Sequence, residues 1–367
     1  MGISRHKLLR AGKLAQLLLL GLVVAGCATT PKVFQAEIVQ PAEEERMFWP
    51  PLPQVPRYRY AGQLLGEANF KPKTEEGDGI KNALRWLAGL LAGDAAPIEL
   101  QRPQSGVVDA AGRIYVSDVG RGAIYVFDTV AGELRIWDKA DGLANFANPV
   151  GLALGANGEL LVADAQLGYV VRLDRHGNAR GRIGKGLLRR PTGIAYDPQG
   201  KRIYVADTYA HDIKVFDDAG RLVKTIGHRG EGVGEFNYPT YLAFARGELY
   251  VTDTMNSRIQ VFGEEGEVSE LHFGSRGLYL GNLVRPKGIA VDSEGNIYVI
   301  ESYYDHLLIF NPKGKLLLAI GGTGLEVGQF YLPAGVWVDR NNRVYVADMF
   351  NARVVLFQFL GGDGHEG

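Results

Sequence analysis

The chain of 367 residues has one cysteine, and this scarcity constrains the fold. A single thiol excludes an internal disulfide framework and any multi-cysteine metal cage, so the fold must be held by its packed core. An excess of charge is also lacking. Forty basic and 41 acidic side chains give a formal net charge of −1, and nothing in that balance points to a nucleic-acid partner. Histidine is sparse at seven residues, with no H-x-H or H-x-x-x-H spacing, so no metal site is expected. There is no G-x-S-x-G, no phosphate-binding P-loop and no C-x-x-C. No catalytic residue and no cofactor is therefore assigned. Glycine, by contrast, is abundant at 49 residues, which suggests many turns between short strands.

The cysteine stands at an informative place. Residues 1–13 are basic, residues 14–25 are almost entirely apolar, and Val24-Ala25-Gly26-Cys27 follows. A basic region and a short apolar region make a targeting segment, too short to span a bilayer comfortably. The four residues resemble the lipobox of bacterial lipoproteins. The resemblance implies cleavage after Gly26, lipidation of Cys27 and residence in the cell envelope as a membrane-tethered protein. It also implies a lean toward the outer membrane, facing periplasm or cell surface, because Ala28 rather than Asp follows the cysteine. Residues 27–57 contain six prolines and the acidic run Glu43-Glu44-Glu45, and read as a Pro-rich tether. Within it, Trp49-Pro50-Pro51-Leu52-Pro53 favours extended polyproline geometry.

From residue 100 the sequence repeats. Strands of the form I-Y-V-A-D end at Asp118, Asp164, Asp207, Asp253, Glu301 and Asp348, at spacings of 46, 43, 46, 48 and 47. An aromatic or leucine follows nine residues after each acid, from Phe127 to Phe357. A proline precedes each strand, with an apolar residue three before it (Leu100, Phe146, Leu188, Phe236, Leu283, Phe330). This period means propeller blades or a solenoid. Each repeat holds four short β-branched or aromatic runs with turns such as Asp197-Pro198-Gln199-Gly200 between them, and no helical period. The expected fold is all-β: a six-bladed β-propeller of four-stranded antiparallel blades over 100–360, with a tail at 361–367. The run P-x-G-I-A-x-D, then G-x-I-Y-V-A-D, then R-I-Q-V-F resembles the NHL repeat. That resemblance covers most of the chain after the tether and is specific for fold, but weakly informative about activity.

Repeat six ends near Leu360 after its third strand, one short. Residues 58–65 alternate well enough to supply the missing outer edge and close the ring. In the rest of the 58–99 segment, Ile80, Leu84, Leu87 and Leu91 share one face of a short N-terminal helix over Gly79–Leu91, with Asp78 as its cap.

Alternation along the innermost strands predicts an axis-facing set: Gly106/Val108, Gly151/Ala153, Gly193/Ala195, Tyr241/Ala243, Gly288/Ala290 and Gly335/Trp337. It holds no acid, histidine or asparagine, which argues against a channel-mouth enzyme. The six strand-end acids read as local caps rather than a metal ring. Gly230-Glu231-Gly232-Val233-Gly234, mirrored by Gly321-Gly322-Thr323-Gly324, reads as a blade-linking loop. Two residues after the acid, blades three to six carry Tyr209, Met255, Tyr303 and Phe350. Tyr279, flanked by Leu278 and Leu280, sits in a neighbouring linker, and Leu325 and Val327 in the next. Such residues are enriched at protein interfaces and form a candidate partner-binding rim. The expected function is a non-catalytic protein-binding scaffold in the envelope. A hydrolase or lyase related to lactonase and amidating-lyase propellers, and a carbohydrate- or cell-wall-binding module, are the alternatives.

Overall fold

A computed structural model describes residues 32–36, 48–72, 96–264 and 266–361. Cys27, the targeting segment and the expected helix over Gly79–Leu91 lie outside the described residues. Within them the chain forms six antiparallel sheets arranged as blades. Blade three is typical: Pro191–Asp197, Arg202–Asp207, Asp212–Asp217 and Leu222–Ile226 pair in sequence order from the inside outward. The other blades repeat this meander.

Packing occurs between blades. Successive side chains on a strand point to opposite sheet faces, and each face meets a neighbouring blade. Ile194, Ile203 and Val205 pack with Leu161 and Ala163 of blade two. Their chain neighbours Ala195, Tyr204 and Ala206 pack with Leu242, Leu249 and Val251 of blade four. Most of the residues expected to face the axis, among them Gly106, Gly151, Ala153, Tyr241 and Trp337, line the central cavity, but chain neighbours such as Leu152 and Ile194 line it too. The sheets run radially, so both faces of an inner strand meet adjacent blades and strict alternation does not divide its residues into an axial and a packed set. The glycines mark where inner strands approach most closely: a Cβ on Gly151 would come within 2.2 Å of the Thr192 carbonyl oxygen. The apolar residue three before each proline is buried in all six repeats.

Blade six is completed by residues that precede blade one. Tyr58–Leu64 pairs antiparallel with Arg353–Phe359, from Val354↔Leu64 to Phe359↔Tyr58. Phe48–Trp49 adds a fifth strand outside it. The tether expected over 27–57 is therefore not free throughout, and Trp49–Pro53 is not an extended polyproline spacer. Trp49–Pro50 and Leu52–Pro53 are cis, and residues 52–53 lie in a turn. The Trp49 ring meets Phe357 edge-on at 5.2 Å. Further upstream, Lys32–Phe34 pairs with Phe70–Pro72. The Lys32 carbonyl lies against Gly132, where any Cβ would be only 1.9 Å away. Gly132 belongs to the turn between the third and fourth strands of blade one.

Candidate functional site: an aromatic rim around a plugged channel

The strand-end acids build the rim. Asp118 accepts the backbone N–H groups of Gln101 and Arg102 at 2.6 and 3.0 Å, and that of Arg121 at 3.0 Å. Asp207 does the same for Arg189 and Arg190, both at 2.8 Å. Glu301 takes Arg285 at 2.6 Å, and Asp348 takes Tyr331 at 2.7 Å. Each carboxylate ties the incoming blade linker to the end of the second strand. In blades four and six an arginine also joins: Arg258 reaches Asp253 at 2.9 Å, and Arg353 reaches Asp348 at 2.8 Å. Among the described residues, no group of three or more histidine, cysteine and acidic side chains is disposed to hold a metal ion.

With the acid turned inward, the residue two positions on faces outward. Tyr209, Met255, Tyr303 and Phe350 are 53%, 50%, 55% and 46% exposed. All four occupy the loops between second and third strands, so they share one rim. Tyr279, with Leu278 and Leu280, is more exposed still, in the linker between blades four and five. The arc is partly self-packed. Tyr209 meets Tyr238 edge-on at 6.2 Å, Tyr303 meets Tyr304 at 4.9 Å, and Phe350 meets Tyr331 at 5.5 Å. Tyr238 and Tyr331 were not singled out in the sequence; their signal is an aromatic one or two residues before an inner-strand proline. Tyr238 rests on His211 at 4.4 Å, and its N–H donates to His211 Nδ1 at 3.2 Å.

The channel does not run open through the ring. Tyr241, on the inner strand of blade four, reaches across it to blade one. Its hydroxyl stands 3.3 Å from the Gln104 carbonyl oxygen and 3.4 Å from Gln104 Oε1. Burial pushes the Tyr241 phenol well above its ordinary range. On the far side lies a cavity of about 290 Å³ lined by inner-strand residues such as Ala153, Tyr196, Ala245, Val291 and Trp337. Its lining holds no acid, histidine, lysine, arginine or cysteine. The Trp337 indole N–H is buried without a hydrogen-bond partner, and its ring lies over Gly106, where a Cβ would be 2.3 Å away.

These features define a six-bladed β-propeller, and part of its repeat region is similar in sequence to NHL-repeat proteins. A family described as "6-bladed beta-propeller" matches residues 196–270 and 282–365. The chain is 31% identical to the protein brain tumor of Drosophila melanogaster over 140 residues, which are 37% of this chain and 13% of that protein. It is 31% identical to NHL repeat-containing protein 2 of Gallus gallus over 159 residues, 34% of this chain and 22% of that one. The match thus spans less than a quarter of either relative's length. Among solved structures, virginiamycin B lyase from Staphylococcus aureus aligns with a TM-score of 0.52 at 14% identity, covering 71% of this chain and 96% of the lyase. At that identity the likeness concerns the fold alone.

Proposed function

We propose that this propeller is a non-catalytic scaffold of the cell envelope, tethered through a lipid on Cys27, which binds a protein partner over the rim of blades three to six. The observation that carries the reading is the half-exposed arc of Tyr209, Met255, Tyr303 and Phe350. Large apolar side chains repeated along one rim are costly to leave in water and typical of interface anchors. The channel supports binding rather than chemistry, since Tyr241 crosses it and its lining carries no acid or base.

The test is capture of partners from detergent-solubilised membranes by immobilised wild-type chain and by four single alanine variants at these positions. Each truncation is expected to weaken capture by about 1–2 kcal/mol with little change in melting temperature. Undiminished capture by all four, together with lowered melting temperatures, would assign the side chains to internal packing and overturn the reading.

A further inference from the structure

The same rim carries a second pattern. In blades one, three and five the residue before the inner-strand proline is an arginine: Arg102, Arg190 and Arg285. Each has its backbone N–H clamped by a strand-end acid, so its Cα is fixed at the rim end of an inner strand. None of the three guanidinium groups has a hydrogen bond or ion pair among the described residues. Arg102 lies over the Phe350 ring at 5.5 Å and Arg190 over the Tyr209 ring at 5.1 Å. A fourth cation stands further in. Lys287, half-buried, follows the inner-strand proline of blade five at the register position that Gln104 holds in blade one. Its ammonium likewise has no hydrogen bond or ion pair among the described residues. The strand-end carboxylates of the same blades, Asp118, Asp207 and Glu301, are occupied by backbone N–H groups.

We infer that the channel mouth on this rim receives the carboxylates of an acidic polypeptide segment, held by Arg102, Arg190, Arg285 and Lys287. The inference rests on the scaffold reading and names the chemistry of the partner. Arg190 and Lys287 are partly desolvated without a counter-charge, which is costly, and an incoming carboxylate removes that cost, while the exposed Arg102 and Arg285 add attraction for the same anion. Burial, and secondarily the neighbouring Arg285, already holds the Lys287 ammonium below its ordinary pKa, as expected of a site awaiting an anion. A single-stranded nucleic acid fits less well. Base stacking needs free aromatic faces, and the Tyr209 and Phe350 rings each have a guanidinium over one face.

The probe is a fluorescein-labelled deca-glutamate peptide, titrated at low salt into the full chain kept in non-ionic detergent. Each of Arg102→Gln, Arg190→Gln, Arg285→Gln and Lys287→Gln should weaken binding about tenfold with an unchanged melting temperature. Arg229→Gln and Arg276→Gln, exposed cations just past the outer strands, should leave it within twofold. Absence of binding overturns the inference, as do equal losses at the two outer arginines, which would mean diffuse attraction. Tighter binding of a labelled deca-uridylate through the same four residues overturns it in favour of a nucleic acid. If the peptide fails to bind while the aromatic alanine variants still lose partner capture, the scaffold reading stands and this inference alone falls.

Discussion

A Cβ on Gly193 would sit 2.6–2.8 Å from backbone atoms of Thr240, Tyr241 and Leu242 on the next blade. Backbone cannot move aside as a side-chain tip can. Gly193→Ala should therefore destabilise the chain by about 1–3 kcal/mol or more in equilibrium denaturant unfolding; an unchanged midpoint would mean that the inner strands can part at no cost. The glycine was legible in P-x-G-I-A, but its reason was not. Strand alternation gives two faces and cannot say that both are covered by neighbouring blades. Tyr241 was likewise visible as the odd residue where other blades carry glycine, yet its reach to Gln104 depends on ring diameter, which no local pattern encodes. The cations of the mouth were hidden differently. Arg102, Arg190 and Arg285 are separated by whole repeats, and only the ring brings them to one rim.

At the level of elements, the outer strand of blade six shows what a short sequence window can and cannot convey. Seven residues over Tyr58–Leu64 are enough for a burial alternation, with Tyr58, Tyr60, Gly62 and Leu64 buried and the strand in register with Arg353–Phe359. Phe48–Trp49 has two residues and hence no period, so its docking was legible only as a proline-rich run with two large aromatics. Deleting residues 58–65 removes the pairing that joins the two ends of the ring and exposes a strand edge. The truncated chain is expected to lose most of its cooperative thermal transition; a melt like that of the intact chain would mean that the ring closes otherwise. A milder probe is Leu64→Ala, expected to cost about 2–5 kcal/mol as a fully buried leucine.

The molecule as a whole is stacked through tyrosines. Burial raises Tyr115, Tyr250, Tyr298 and Tyr345 above the ordinary phenol range, and holds Tyr125 and Tyr196 at about 12. An unfolded chain would ionise these groups near pH ~10. Because the folded-state values are raised, their contribution to stability is fully present below pH ~10 and is lost as pH climbs from there through 12. Denaturant midpoints should hold to mildly alkaline pH and then fall steeply, in step with tyrosinate absorbance. A flat midpoint through that window would refute the assignment. At this scale belongs also the anchor: Cys27→Ser should move the chain from the detergent phase to a soluble or unprocessed form, and a variant still acylated and membrane-bound would remove the lipoprotein reading.

Inner strands begin at the rim of acids and aromatics, so the turn between third and fourth strands, where Gly132 lies, belongs to the opposite face. The Lys32 carbonyl rests against that turn. Cys27 is five residues upstream, a reach of at most about 17 Å of extended chain. An acyl group there would hold the disc close to the bilayer by its plain side, at the circumference of blade one. The aromatic and cationic mouth would then look away from the lipid, and a partner would approach it from the aqueous compartment without competing with headgroups for the same arginines.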